Sequence, residues 1–309
     1  MSTYLITGVA GFIGSHLVNR LVTMGHEVVG LDNFSSGFRE NLISHPLFRF
    51  IEGDIRDLET CQAVCKGVDF ILHQAALGSV PRSIEEPLLY HHNNVTGTLN
   101  LLLAARDAGV KRFVLASSSS VYGDTPILPK IETMPLQPKS PYAISKLACE
   151  HYGKLFNDIY ELPTIGLRYF NVFGPRQNPD SQYAAVIPKF LKAFLSNESP
   201  TIFGDGEQTR DFTFIDNVID ANLKACVAPL SSCGASYNIG CGDRISLNQL
   251  VIEIQTLTGS TAKPIYADTR LGDVRDSLAS IQLATECLNL APQISLRDGL
   301  NQTSHWYRS

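Results

Sequence analysis

Residues 3–32 confine this chain to very few folds. A mostly apolar run, Thr3-Tyr4-Leu5-Ile6-Thr7, leads straight into Gly8-Val9-Ala10-Gly11-Phe12-Ile13-Gly14, then a stretch of helical periodicity, then Glu27 to Leu31 and Asp32. A run that short and that apolar reads as a strand buried on both faces, as in a parallel sheet. Ile13, Leu17 and Leu21 recur every four residues and give a helix one apolar stripe, which Met24-Gly25-His26 closes. In that setting Gly8 permits a tight turn, Gly11 lets the backbone approach a pyrophosphate, and Gly14 lets the helix pack close, with its free N–H groups aimed at phosphate. Glycines alone serve a plain turn as readily; strand, helix and acid together point to a dinucleotide. Asp32, eighteen residues beyond Gly14, is placed to accept from both ribose hydroxyls and to repel a 2′-phosphate, which favours NAD over NADP.

Further strand patterns at 49–54, 69–73, 112–117 and 164–169 alternate with helical patterns at 94–108 and 142–160. The expected fold is therefore α/β, a Rossmann-type doubly wound parallel sheet with a smaller C-terminal α/β substrate lobe. Beyond Arg168 the pairs Gly174-Pro175 and Asn178-Pro179 and the run Gly204-Asp205-Gly206 break the chain into short elements. Residues 1–170 are assigned to the dinucleotide-binding domain, to which the chain is expected to return around 212–240, and 171–309 mainly to the second lobe. Ligands of such sheets sit outside the carboxyl ends of the strands, so the segments after His73, Ser117 and Phe170 should line the site.

A formal charge of −5 argues against a broad nucleic-acid or membrane-binding face, so any anionic ligand must find its arginines locally. No stretch of eighteen apolar residues occurs, and the N-terminus runs directly into a strand, so a cytoplasmic location is expected. The seven cysteines form no CxxC and read as reduced thiols; the histidines, His91-His92 included, show no ligand spacing, and no metal is expected.

Ser140-Pro141-Tyr142-Ala143-Ile144-Ser145-Lys146 joins an N-cap serine, a proline suited to the first helical position, and a tyrosine and lysine four residues apart on one helix face. Such a pair is common on solvated helices. Here it follows a strand ending in Ser117-Ser118-Ser119-Ser120, and the chemistry gives it a purpose. Oxidising an alcohol by hydride removal requires a base for the hydroxyl proton. Keeping a phenol ionised near neutral pH costs roughly 4 kcal/mol, which a nearby ammonium and a cationic nicotinamide can supply. A serine on the facing strand can hold the substrate oxygen.

With these residues the sequence resembles the extended short-chain dehydrogenase/reductases, and among them the UDP-sugar 4-epimerases, particularly those acting on UDP-N-acetylhexosamines and their uronic acids. The similarity runs from Tyr4 to Trp306 and includes TGVAGFIG, GDIRD (53–57), HQAALGSVPRS (73–83), SSSSVYG (117–123), LRYFNVFGPRQ (167–177), YAAVIPKF, GDGEQTRDF and RLGDVRDS. It implies Ser118, Tyr142 and Lys146 as the catalytic set. The cofactor contacts it implies are Gly8, Gly11, Phe12, Ile13, Gly14, Asp32, Asn33, Asp54, Ile55, Gln74, Ala75 and Ala76, besides Tyr142 and Lys146. For substrate it implies Gly78, Ser79, Ser118, Ser119, Tyr142 and Asn171, with Ala185, Val186 and Pro188 near uracil. Arg210 and Arg270 would clamp the pyrophosphate, Asp273 the uridine ribose, and Ser277 stands at the gate.

The branch is suggested by what is missing. Related dehydratases carry an Asp-Glu pair, and decarboxylases a Glu, where this chain has Ser119 and Ser120. The expected reaction is 4-epimerisation with tightly bound, recycled NAD, by transient oxidation, rotation of the 4-keto sugar and re-reduction. A small Ser277 leaves room for an N-acetyl group, which favours UDP-GlcNAc and UDP-GalNAc without excluding UDP-glucose and UDP-galactose. A UDP-uronic acid epimerase, for which Arg82 would pair the carboxylate, another NAD-dependent nucleotide-sugar oxidoreductase, and a non-catalytic NAD-binding sensor stay open. So does Arg275, as a phosphate contact or a partner of neighbouring Asp276. The resemblance also implies a homodimer through the 94–108 and 142–160 helices.

Overall fold

The computed structural model describes residues 1–180, 185–269 and 275–308. The first half comprises β1 (Thr3–Thr7), α1 (Phe12–Thr23), β2 (Glu27–Asp32), β3 (Phe48–Glu52), α2 (Leu58–Cys65), β4 (Phe70–His73), α3 (Val80–Glu85), α4 (Pro87–Tyr90), α5 (Gly97–Asp107), β5 (Arg112–Ser118), α6 (Pro141–Tyr160) and β6 (Thr164–Tyr169). The rest is more finely divided: β7 (Val172–Phe173), α7 (Val186–Leu195), β8 (Thr201–Phe203), β9 (Thr209–Arg210), β10 (Thr213–Phe214), α8 (Ile215–Val227), β11 (Ala235–Ile239), β12 (Ile245–Ser246), α9 (Leu247–Thr258), β13 (Ile265–Ala267), α10 (Gln282–Leu288) and α11 (Leu296–Arg308).

Seven parallel strands form one sheet in the order β11-β6-β5-β4-β1-β2-β3. Neighbouring side chains on each strand go to opposite layers, which is why the strands read as continuous apolar runs. Tyr4 and Ile6 pack with Leu17, Leu21, Val218 and Ala221 of α1 and α8, whereas Leu5 packs with Cys61, Leu101 and Cys149 of α2, α5 and α6. This is the doubly wound Rossmann-type sheet. The chain builds outward from β1 to β3 and then crosses to β4, so the strand order reverses beside β1 and opens a crevice there.

Gly14 shows how tightly α1 sits on that crevice: a Cβ there would lie 2.1 Å from the Gly8 carbonyl oxygen. Gly25, just past α1, has φ +79, the left-handed region open to glycine. The helix expected from Asn94 begins earlier. Pro87 occupies its first turn, a π-helical turn spans His91–Thr96, and α5 follows. The exposed Leu88, His91 and His92 hide this start, because they break the apolar periodicity.

After β6 the chain makes three two-stranded ladders, β10 with β7, β12 with β9 and β13 with β8, alongside α7, α9 and α11. The chain returns to the large sheet with α8, which packs on it, and β11, which pairs β6 from Ala235 to Ile239. All seven cysteines are unpaired thiols. No described helix is long and apolar enough to cross a membrane.

Candidate active site

A cavity of about 350 Å³ lies at the crevice, lined by Gly8, Gly11, Phe12, Ile13, Gly14, Asp32, Asn33, Ile55, Gln74, Ala75 and Ala76 among others. Gly11 caps α1 with no side chain, so the first-turn N–H groups stand uncapped at the cavity. A Cβ on Gly11 would meet only the Gly8 carbonyl, at 3.1 Å, and would otherwise fill the cradle. The residues present thus suit an extended dinucleotide. The Asp32 carboxylate accepts from the Ala10 and Phe34 N–H groups, which fixes the turn beneath it, and burial raises its pKa. Asp54 accepts from Asn33 and binds Arg56 through Nε and Nη2, and the Arg56 hydrogen bonds hold its carboxyl down to about 2. Ser35, Ser36 and Gly37 also line the cavity, a feature the sequence reading missed: a Cβ on Gly37 would lie 2.7 Å from Ala10, so that loop folds directly over the glycine turn.

The far wall is set by buried polar contacts. The Gln74 amide donates to Asn222 and accepts from the Tyr169 hydroxyl. Beneath it His73 spans β1 and α5, its Nδ1 2.7 Å from the Thr7 hydroxyl and its Nε2 2.9 Å from that of Thr98. Thr98 spends its proton on the Asn94 carbonyl and the Thr7 oxygen accepts from the Ala75 N–H. The network therefore places a proton on Nε2 and leaves Nδ1 free to accept from Thr7. Burial agrees, pushing the His73 pKa down to about 3.

Tyr142 and Lys146 stand on the first turns of α6, whose start is fixed by the Ser140 side chain accepting from the Ala143 N–H and by Pro141. Ser118 ends β5 and its oxygen accepts from the Ser120 N–H, leaving its own proton for a partner in the cleft. The structure brings the three together: Ser118 stands close enough to the Tyr142 phenol to favour its ionised form against burial, and the Lys146 ammonium lies 5.9 Å from the Tyr142 ring centre while donating to the Ala116 carbonyl. Ser119 begins the 3-10 turn that follows. The expected lowering of the phenol is not a property of the protein alone. Burial raises Tyr142 to about 12, opposed by the nearby Ser118 hydroxyl, and burial also pushes Lys146 down. Ionisation of Tyr142 thus depends on positive charge brought by a bound cofactor.

A second cavity, about 470 Å³, is lined by Asn171, Ala185, Val186 and Arg210, together with Phe203, Gln208 and Leu247. The last three were not foreseen, because they stand far apart in the chain, at the end of β8, in the turn before β9 and at the start of α9. Pro188 is buried within α7 and is not among the residues lining the cavity, whereas its helix neighbours Val186, Ile187, Lys189 and Phe190 are. Arg210 donates to the Thr209 and Arg275 carbonyls, and its neighbour Asp211 accepts instead from the Cys241, Gly242 and Ala279 N–H groups. Burial raises Asp211 to about 6. Ser277 is buried and donates its N–H to the Thr209 carbonyl, beside Arg210. Gly78 lines the first cavity, and Ser79 caps α3. Arg82 pairs with Glu86, and Arg275 with Asp205 rather than Asp276. Arg270 and Asp273 lie outside the described residues.

Residues 4–240 match the family model described as NAD dependent epimerase/dehydratase family. The UDP-glucose 4-epimerase of Mycolicibacterium smegmatis is 40% identical over 310 residues, covering 99% of this chain and 98% of that protein. Among solved structures, UDP-N-acetylglucosamine 4-epimerase from Methanobrevibacter ruminantium, in complex with UDP-N-acetylmuramic acid, superposes with a TM-score of 0.95 at 39% identity, covering 99% and 98% of the two chains. UDP-glucose 4-epimerase of Thermotoga maritima with UDP-glucose gives 0.94 at 38%, with the same coverage. A glycine cradle at the switch point, a Ser–Tyr–Lys set beside it and similarity along nearly the whole chain agree: this chain belongs to the NAD dependent epimerase/dehydratase family.

Proposed function

We propose that the protein is a UDP-sugar 4-epimerase that retains and recycles NAD, with UDP-GlcNAc and UDP-GalNAc as its preferred pair. The observation that carries this reading is the approach of Tyr142 and Lys146, on the first turns of α6, to Ser118 at the end of β5, in a chain whose switch point carries the glycine-lined cavity. Bound NAD supplies the reversible acceptance of hydride from carbon 4. Tyr142 takes the 4-hydroxyl proton and returns it, Ser118 donates to the same oxygen, and Lys146 contributes positive charge near the phenol. Arg210 and Asn171 hold the nucleotide end through bidentate and amide contacts, anchoring a diphosphate in a net-acidic protein while the sugar turns. Residues 1–170 with the returning α8 and β11 serve the cofactor, and the remainder, including Arg270 and Asp273, mainly the nucleotide-sugar.

The preference for an N-acetyl substrate is supported by the small Ser277 beside Arg210 and by the likeness to a UDP-N-acetylglucosamine 4-epimerase. Arg82 gives the uronic acid reading less support, because Glu86 already neutralises it. The apolar face of α6, where Ile144, Leu155 and Ile159 are exposed, supports a homodimer through that helix. Incubating the protein without added NAD with UDP-GlcNAc and with UDP-glucose tests the reading: UDP-GalNAc should form faster than UDP-galactose. No epimer from either, with NAD supplied, would overturn it in favour of a sensor or another oxidoreductase.

A further inference from the structure

Gly78 is the exposed residue of the segment 74–79, whose Gln74, Ala75, Ala76 and Gly78 line the first cavity, and a Cβ placed on it would meet nothing within 4 Å. A glycine facing free space stays in place only if its neighbours are fastened. On one side Asn94 takes both backbone groups of Leu77, accepting its N–H at 2.9 Å and donating to its carbonyl at 3.1 Å. On the other, the Ser79 N–H donates to the Tyr90 hydroxyl at 3.1 Å, while the Ser79 side chain is engaged in capping α3. Tyr90 is itself 1% exposed, and its ring meets Tyr142 edge-on, centres 6.5 Å apart at 90°. Asn94 reaches the same helix by donating to Ser145, whose hydroxyl donates to the Tyr142 carbonyl.

We propose that Tyr90 is a positioning residue for the reaction: its hydroxyl fixes the Gly78–Ser79 wall against the bound sugar and its ring sets the tilt of Tyr142. The kinetic part of this rests on the epimerase reading above; the anchoring part does not. A phenol suits the place where phenylalanine would not, because the ring fills a buried slot against Tyr142 while its oxygen satisfies a backbone N–H that would otherwise lose its partner. A tyrosine serving only as core would stabilise the fold without setting the wall or the kinetics.

The two functions separate in two variants of the full chain. Tyr90→Phe keeps the ring and removes the acceptor, so amide exchange at Ser79 should quicken about tenfold. KM for UDP-GlcNAc should rise about fivefold, with kcat and its pH profile nearly unchanged. Tyr90→Leu removes the ring as well, and should lower kcat about tenfold and displace the limb of the pH profile that reports Tyr142. If Tyr90→Phe leaves Ser79 exchange and KM as in the wild type while only the melting temperature falls, Tyr90 is a core residue and the proposal fails. If the wild type does not epimerise, the epimerase reading fails separately; exchange at Ser79 and calorimetric affinity for UDP-GlcNAc then decide the anchoring role.

Discussion

The Glu150 carboxylate meets the Arg168 guanidinium through two hydrogen bonds, of 2.9 and 2.8 Å, in the interior one helical turn beyond Lys146. Ser117 donates to the same carboxylate, and Arg168 also donates to Tyr122, which donates to Asn238. The network ties α6 to β5, β6 and β11, and so sets where Lys146 stands relative to Ser118. Glu150→Gln leaves the guanidinium without its countercharge and should cost about 3–5 kcal/mol in urea unfolding. Replacing both members by apolar residues, Glu150→Leu with Arg168→Met, should recover much of that loss, since a buried pair adds little over good packing.

Tyr142→Phe removes the proton acceptor and preserves the ring. Epimerisation should fall by roughly two to four orders of magnitude in kcat, with KM and retained NAD nearly unchanged. Turnover at the wild-type rate would eliminate the proposed mechanism.

Gly14→Ala and Gly25→Ala test two different demands on glycine. The first drives a Cβ to 2.1 Å from the Gly8 carbonyl, where only backbone movement relieves the clash. It should lower the melting temperature and abolish NAD retention together. The second meets no atom within 4 Å and strains only its left-handed backbone. It should cost about 1 kcal/mol and leave NAD content intact.

His73 makes stability depend on pH. Burial lowers its folded pKa to about 3, against an ordinary value near 6.5. The unfolded chain therefore binds its proton more tightly than the folded one, and stability is lost as pH falls through 6.5 towards 3. The slope is at most about 1.4 kcal/mol per pH unit. Unfolding free energies measured at successive pH values should show this slope, and His73→Gln should flatten it.

Ser277→Tyr places a bulky ring beside Arg210. Activity on UDP-GlcNAc should fall at least about tenfold more than activity on UDP-glucose, measured as kcat/KM for each. Equal losses on both sugars would remove Ser277 from the basis of specificity.

By itself, the sequence determined what local chemistry dictates. The glycine spacing, the apolar strands and the Tyr-Lys spacing each follow from a few consecutive residues, and the fold class and family they imply are those found. Tertiary structure decided what depends on contacts between distant segments. Asn94 and Leu77, Tyr90 and Ser79, and Glu150 and Arg168 lie apart in the chain, and their pairing appears only once α4 to α6 close on the sheet. Which residues of α7 line the cavity, Val186, Ile187, Lys189 and Phe190 but not Pro188, is a matter of helix placement that no motif records. The raised Tyr142 pKa arises the same way: side-chain spacing brings a lysine within reach, whereas burial, which sets the sign, is a property of the assembled core.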